Sequence, residues 1–195
     1  MANLITLEDY KTSEKIESTK DDTRLNSLIA SISTLVKTYC NNALVDYYST
    51  DKTETISVKW STTSIQLAGS PIVSITSVKE RASYDAAYTT LTTGAHEYYL
   101  DLDTDSIVRT TGATFKNWPQ GPGSVQVAYK SGYAACPADL KLAVIDLINY
   151  YHKDEHKARQ TMQGSSTANN STSSQNDNVG FPDHIKRVLD LYKNY

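Results

Sequence analysis

Two stretches of the chain repeat apolar residues at steps of three and four, and this spacing predicts two long amphipathic helices. We expect the first helix over residues 21–41, with Asp21 or Asp22 as its N-cap. We expect the second over residues 137–158, because a proline suits the first turn of a helix and Pro137 stands there. The second stripe is wide, which indicates burial on more than one side, in the core or at a subunit contact. The stripes consist of Leu25, Leu28, Ile29, Ile32, Val36 and Tyr39 in the first helix, and of Leu140, Ala143, Val144, Leu147, Ile148 and Tyr151, widened by Leu142 and Ile145, in the second.

Between the two helices, over residues 56–130, the pattern changes to a period of two. Apolar β-branched and aromatic residues alternate there with polar ones, for example at Val125, Val127 and Tyr129. Such alternation is typical of half-buried antiparallel strands. Segments rich in Gly, Pro, Ser and Asp separate the runs, as turns between strands require. The sequence therefore predicts an antiparallel β region inserted between the two long helices.

The C-terminal part of the chain changes composition twice. Residues 161–180 are rich in Ser, Thr, Asn and Gln and hold no core-forming residue before Val179, so they predict a flexible linker. Residues 181–195 predict a last helix, which is too short to be stable alone. We therefore expect its apolar face to dock on its own chain or on another subunit, as a protein-interaction site. That face consists of Phe181, Ile185, Val188, Leu189 and Tyr192.

These elements together predict an α+β fold. The expected architecture is a small helical bundle built on two long helices, with an inserted antiparallel β region and a tethered C-terminal helix. Residues 1–160 form the body, residues 161–180 the polar linker and residues 181–195 the docking helix. A further short helix is expected near the N-terminus. Thr6 suits the N-cap of this helix, and Glu8 and Asp9 supply the acidic residues typical of a first turn.

Composition and charge narrow the range of functions. The formal net charge is −3 over 195 residues, and no cluster of Lys and Arg predicts nucleic-acid binding. Cys40 and Cys136 lie far apart and match no metal-binding spacing, so we expect two free thiols. The N-terminal residues lack the pattern of a signal peptide, and no apolar run approaches the ~18 residues of a membrane span. We therefore expect no membrane association.

One motif resembles a zinc site. Residues 152–156 fit the H-x-x-E-H pattern of inverted zinc peptidases, with His152 and His156 on one helical face and Glu155 between them. Such a site needs a further acidic ligand downstream, yet no glutamate follows Glu155, and the first aspartate after it lies in the linker. The motif is better interpreted as a charged helix end, in which Glu155 pairs with Arg159. A zinc hydrolase is kept as an alternative.

A second motif resembles a calcium loop. Asp101, Asp103 and Asp105 have the spacing of the first ligands of an EF-hand loop, but Ser106 and Gly112 occupy the positions of its Gly and Glu. We interpret the segment as an acidic hairpin turn and leave weak calcium binding open. No catalytic residue, metal or cofactor is assigned, because no nucleophile elbow, phosphate loop or dinucleotide fingerprint is present.

Several segments occur in an order that resembles one protein family. They are Leu4-Ile-Thr-Leu-Glu-Asp-Tyr10, Tyr39-Cys-Asn-Asn-Ala-Leu44, Ile65-Gln-Leu-Ala-Gly-Ser-Pro-Ile-Val-Ser-Ile-Thr-Ser-Val78, Asn117-Trp-Pro119, Val125-Gln-Val-Ala-Tyr-Lys-Ser-Gly-Tyr133, Pro137-Ala-Asp-Leu-Lys-Leu-Ala-Val-Ile145 and Phe181-Pro-Asp-His-Ile-Lys-Arg-Val-Leu189. This series is similar to the head–tail connector (adaptor) proteins of tailed bacteriophages, also called head completion proteins. The similarity covers most of the chain outside the polar linker.

The resemblance implies a structural virion protein that is not an enzyme. Such proteins form a ring, typically of twelve subunits, at the phage neck between head and tail. The ring binds the portal protein, extends the DNA channel and presents a platform for stopper or tail proteins. Double-stranded DNA passes through without specific binding, and a net-acidic chain is compatible with this role.

Three alternatives stay open beside the adaptor interpretation. The first is another neck or tail component, such as a stopper or a tail terminator. The second is the zinc hydrolase that would use His152 and His156. The third is a β-rich glycan-binding module, since some of the fourteen tyrosines could form a stacking platform. The host, the exact ring symmetry and the face that meets the portal cannot be predicted from the sequence.

Overall fold

The computed structural model describes residues 2–153 and 181–194, which form two compact units. The described residues up to Asn41 and from Ala135 to Lys193 form a helical unit, and those from Asn42 to Ala134 form a β unit. The β unit therefore interrupts the helical unit in sequence. This organisation confirms the prediction of an α+β chain with an inserted antiparallel β region.

The helical unit contains four described helices, so a bundle of two long helices is an incomplete description of it. The predicted bounds of the first long helix are correct to within one residue. The second ends at His152 in the described part of the chain, and its predicted end at residue 158 lies outside the described residues. The helices are α1 (Leu7–Glu14), α2 (Asp22–Cys40), α3 (Ala138–His152) and α4 (Asp183–Asp190).

The short N-terminal helix α1 begins with the predicted cap. Thr6 Oγ1 accepts a hydrogen bond from the Asp9 N–H at 3.1 Å, and Asp9 Oδ2 accepts one from the Thr6 N–H at 3.1 Å. This reciprocal pair satisfies two backbone donors that a helix start would otherwise leave unpaired. Lys141 of α3 donates to Asp9 at 2.6 Å, which lowers the pKa of the Asp9 carboxyl below its usual value.

The helix α3 forms the centre of the helical unit. Leu140, Val144 and Leu147 are fully buried, and α2 and α4 both pack against α3. On the side of α1, Tyr10 Oη donates a hydrogen bond to Asn149 Oδ1 at 2.7 Å. Core packing on several sides of one helix therefore accounts for the wide apolar stripe except at Leu142, which is 59% exposed. Among the described helices, none combines the length and apolar composition needed to cross a membrane.

The β unit consists of two antiparallel sheets. The first has the order β1-β8-β3-β4 and the second the order β2-β6-β5, with β7 paired to β6 beside β2. The strands are β1 (Lys52–Val58), β2 (Ser64–Gln66), β3 (Ile72–Glu80), β4 (Thr89–Leu91), β5 (Tyr98–Asp101), β6 (Ser106–Thr111), β7 (Thr114–Phe115) and β8 (Gly121–Ser131), with a 3-10 turn at Thr93–Ala95.

The β region begins at Lys52, four residues before the predicted start. The reason is that β1 lies at the edge of its sheet, and its first four residues are polar or charged and partly exposed. An edge strand needs few apolar residues, so alternation of apolar and polar positions does not reveal its start. The prediction of residue 56 as the first boundary was therefore wrong.

A buried ion pair joins the two sheets inside the β unit. Arg109 of β6 donates two parallel hydrogen bonds to the Glu80 carboxylate of β3, each at 2.8 Å. The Arg109 side chain is 4% exposed and also donates to the backbone carbonyls of Glu97 and Thr110. The guanidinium lies over the buried Trp118 ring. This fork fixes how the second sheet packs on the first.

Candidate interaction surfaces

The C-terminal helix α4 packs against α2 and α3 of its own chain. Phe181, Ile185 and Leu189 are buried, and the Phe181 ring meets the Tyr39 ring edge-on at a centroid distance of 5.0 Å. Burial of an aromatic and two aliphatic side chains explains how a helix of eight residues is held in place.

Polar contacts at two points reinforce this packing of α4 on α2 and α3, which we call the seat of α4. Tyr39 Oη donates to Asp190 Oδ1 at 2.8 Å, and Tyr192 Oη donates to Asp139 Oδ1 at 2.6 Å. The Lys193 ammonium lies 3.0 Å from Asp190 and 4.2 Å from the Tyr39 ring centroid. The hydrogen bond from Tyr192 lowers the pKa of Asp139, and the bonds from Lys193 and then Tyr39 lower the pKa of Asp190.

The five predicted docking residues differ in how deeply they are buried. Phe181, Ile185 and Leu189 point into the helical unit, whereas Val188 and Tyr192 are half-buried. The structure thus shows how α4 is seated on its own chain. Contact of these five residues with another subunit stays a prediction.

A neighbouring, more exposed side of α4 carries a second stripe, which shares only Val188 with the docking face predicted from the sequence. Its spacing of three, four and seven residues places all members on one helical face. Leu191 continues the helical backbone conformation and is 77% exposed. The charged side chain of Arg187 lies one helical turn before it. We call this stripe the α4 outer face; it consists of His184, Arg187, Val188 and Leu191.

The second sheet of the β unit also exposes one of its faces. The strand register places Tyr99 of β5 directly beside Val108 of β6. Phe115 of β7 lies opposite Thr110, which is two residues after Val108 and therefore on the same face of the sheet. Tyr99 is 62% exposed and Phe115 is 77% exposed. Two aromatic side chains that flank a valine on a solvent-exposed sheet face form an apolar patch of the kind that marks an interaction site.

A shallow groove of about 800 Å³ runs along this face, and the acidic turn lies at its edge. Asp101 accepts hydrogen bonds from the Asp103 N–H and the Thr104 hydroxyl, as expected in a tight turn. The Asp103 side chain is exposed. We call the patch and the groove together the outer sheet face; it comprises Tyr99, Asp101, Asp103, Ser106, Val108 and Phe115.

The structure confirms the interpretation of residues 101–105 as an acidic hairpin turn. The strands β5 and β6 that flank it pair antiparallel. Asp105 accepts hydrogen bonds from the Ser70 hydroxyl at 2.6 Å and from the Ile72 N–H at 2.9 Å. Its carboxylate is thus engaged by β-unit groups. In the described part of the chain, no three His, Cys, Asp or Glu side chains converge to hold a metal ion.

The candidate zinc motif can be placed only in part. His152 is the last residue of α3, while Glu155 and His156 lie outside the described residues. Cys40 and Cys136 are free, as predicted. Burial raises the pKa of each thiol to about 11, which leaves little reactive thiolate at neutral pH.

A sequence signal for the outer sheet face did exist. Tyr98 and Tyr99 are consecutive residues of a strand, and neighbouring side chains on a strand point to opposite faces. Only one of the two can therefore enter the core. Tyr98 is half-buried and packs against the core, and Tyr99 faces outward. Tyr99 was nevertheless not singled out from the sequence as a surface residue.

Comparison with known proteins agrees with the resemblance drawn from the sequence. A sequence profile of the head completion protein family matches residues 3–195. A head completion protein of Escherichia phage T5 is 31% identical over 77 residues, which are 40% of this chain and 42% of that protein. The aligned region thus spans less than half of the curated relative.

Solved structures of similar fold come from gene transfer agent (GTA) particles. A chain from the neck of an empty particle, computed with C6 symmetry, has a TM-score of 0.61 at 15% identity, covering 98% of this chain and 90% of that one. A chain from the neck of a native particle, computed with C12 symmetry, has a TM-score of 0.56 at 16% identity, covering 100% and 96%. At these identities the likeness concerns the fold. Because the family profile spans nearly the whole chain, the chain belongs to the head completion protein family.

Proposed function

We propose that this protein is a head–tail adaptor: a structural subunit of a ring in the phage neck that binds the portal, extends the DNA channel and carries the stopper or tail. The observation that carries the proposal is the family match over residues 3–195. The fold is shared with chains from particle necks that were computed with six-fold and twelve-fold symmetry. Both symmetries are compatible with a ring of twelve copies.

The charge of the chain suits a conduit for DNA. Its formal net charge is −3, and a ring of such subunits does not attract phosphates as a basic channel would. DNA would therefore pass through the ring without specific contacts.

The C-terminal helix is proposed to contact a neighbouring subunit or the portal. Phe181, Ile185 and Leu189 hold the helix in position, and Val188 and Tyr192 lie nearer the surface.

The experiment is a binding assay with purified portal rings and purified stopper protein. The adaptor interpretation predicts that this protein binds portal rings directly, at one copy per portal subunit, and that stopper protein binds only after it. A stopper or tail terminator would instead fail to bind portal rings without an adaptor already present. That result would overturn the proposal in favour of another neck component.

Removal of the whole C-terminal segment is a poor test of docking. Ile185 and Leu189 are almost completely buried against α2 and α3, so deleting them would expose part of the helical core. A loss of portal binding in the truncated protein would then have two explanations. Single substitutions on the exposed side of α4 keep the core intact and are the better variants.

A further inference from the structure

We infer that neighbouring copies of this chain contact each other through two different surfaces: the α4 outer face of one copy binds the outer sheet face of the next. The inference rests on the proposed ring function and names the surfaces that would build the ring. Neither surface is covered within the described part of the chain, because Leu191 and Phe115 are each 77% exposed and Tyr99 is 62% exposed.

The two surfaces are complementary in apolar character. Val188 and Leu191 form the apolar half of the α4 outer face, and one aliphatic residue is strongly exposed there. Tyr99, Val108 and Phe115 form a flat apolar patch on the sheet face. A helical ridge of aliphatic side chains that packs on aromatic rings is a common way to bury exposed apolar area between proteins.

They are also complementary in charge. Arg187 lies one helical turn before Leu191 and is exposed, whereas Asp103 is exposed at the edge of the sheet groove. The planar guanidinium suits a carboxylate at the rim of an apolar contact. Asp101 lines the same groove and adds a second, half-buried carboxylate beside Asp103. Charge and apolar area therefore favour a second copy over a neutral ligand such as a glycan.

The two surfaces are different patches of one chain, the first on the helical unit and the second on the β unit, and this difference determines the type of contact. A contact between different patches is heterologous, and each copy retains one free patch of each kind after it binds a neighbour. Such a contact propagates head to tail, and it is the type of contact that builds the proposed ring.

The test uses two variants that each disable one surface. Leu191→Asp places a charge in the apolar half of the α4 outer face, and Phe115→Asp does so in the sheet patch. Each should raise the concentration for half-assembly by about tenfold or more, because a buried apolar anchor is lost. Leu142→Asp is the matched control, since Leu142 is 59% exposed on α3 and outside both surfaces. Sedimentation velocity and mass photometry measure the assemblies.

An equimolar mixture of the two variants gives the decisive result. The Phe115→Asp chain keeps its α4 outer face and the Leu191→Asp chain keeps its sheet face, so exactly one kind of contact survives. The mixture should form a one-to-one dimer that grows no further. Circular dichroism and thermal unfolding of each variant verify that both remain folded, so that a loss of assembly reports on the surface.

A charge exchange adds a second measurement that does not depend on apolar packing. Arg187→Glu and Asp103→Arg should each weaken assembly, and the chain that carries both should recover it, because every contact then pairs the exchanged charges. Arg24→Glu, at an exposed arginine of α2, is the matched control.

The outcomes separate the inference from the proposed function. If wild-type rings form and either surface variant assembles like wild type, the inference is wrong and the ring function stands. If the mixed variants show no dimer, or rebuild full rings, the heterologous contact is also wrong. If the wild-type protein forms no ring alone or on portal rings, both the inference and the proposed function fail.

Discussion

At the scale of single residues, the β unit depends on Gly132 more than on any other glycine of the described chain. Gly132 has a φ of +96°, and a Cβ atom built there would lie 1.8 Å from the Leu44 carbonyl oxygen. The neighbouring Tyr133 N–H donates to that same oxygen at 2.8 Å, so the two segments approach through a backbone hydrogen bond. Only a residue without a side chain allows this approach.

Replacement of this glycine should therefore be severe. Gly132→Ala should lower the free energy of unfolding by about 3 kcal/mol or more, from strain and from displacement of Leu44. Gly94→Ala is the control, because a Cβ there meets nothing within 4 Å, and it should change stability by less than about 0.5 kcal/mol. Urea denaturation measures both values. Equal stability of the two variants would contradict the close approach of Leu44.

The ion pair between Glu80 and Arg109 makes a second prediction at this scale. Glu80→Ala leaves the Arg109 guanidinium buried without its carboxylate and should lower the free energy of unfolding by about 3 kcal/mol. Replacing both residues with Met should recover part of that loss, because no charge then stays buried. Chemical denaturation measures the free energy of unfolding of both variants. A double variant no more stable than Glu80→Ala would show that the loss does not come from leaving the Arg109 charge unpaired.

At the scale of elements, the seat of α4 combines apolar burial with two carboxylates. Asp139 and Asp190 have pKa values below the usual 3.8 in the folded protein, through Tyr192 and through Lys193 with Tyr39. A carboxyl whose pKa is lower in the folded protein takes up a proton more readily when the chain is unfolded. Its contribution to the stability of the folded state is therefore complete above about pH 4. That contribution is lost as the pH falls through the pKa of the folded protein.

Acidification should therefore loosen α4. Hydrogen exchange of the α4 amides, corrected for the intrinsic rate, should show protection falling below about pH 4 in the wild-type protein. In Asp139→Asn the protection should be lower at neutral pH and should depend less on pH. Asp183→Asn leaves both carboxylate contacts intact and serves as the control. A wild-type profile that stays flat to pH 2 would refute this account of the seat.

The sequence predicted some of these elements better than others. The helix α2 was predicted to within one residue, because nineteen residues repeat one apolar stripe between clear ends. The start of β1 was missed, because an edge strand tolerates polar residues on both sides. The division of the strands into two sheets was not predicted, since alternation identifies strands but not their partners.

The candidate surfaces show the same limit. Sequence periodicity identified the buried face of α4 as apolar, yet it could not tell whether α2 and α3 of the same chain or another subunit covers that face. The exposed stripe from His184 to Leu191 became visible only once burial had assigned the other side. Phe115 sits in a polar stretch and reaches the sheet face through the two-residue strand β7, which is too short for any periodic signal.

At the scale of the whole molecule, a β unit is inserted in sequence into a helical unit, in a chain that belongs to the head completion protein family. Among the described residues, the α4 outer face of the helical unit and the outer sheet face of the β unit each combine exposed apolar side chains with charged ones. Two unlike surfaces on one subunit are what a closed ring requires, because each copy must offer one and accept the other.

The most direct test of this account is electron microscopy of the protein bound to portal rings, with the subunits counted without imposed symmetry. The account predicts a ring of twelve copies, coaxial with the portal, in which the α4 outer face of each copy meets the outer sheet face of its neighbour. Single copies scattered on the portal, or a ring that does not touch the portal, would contradict it.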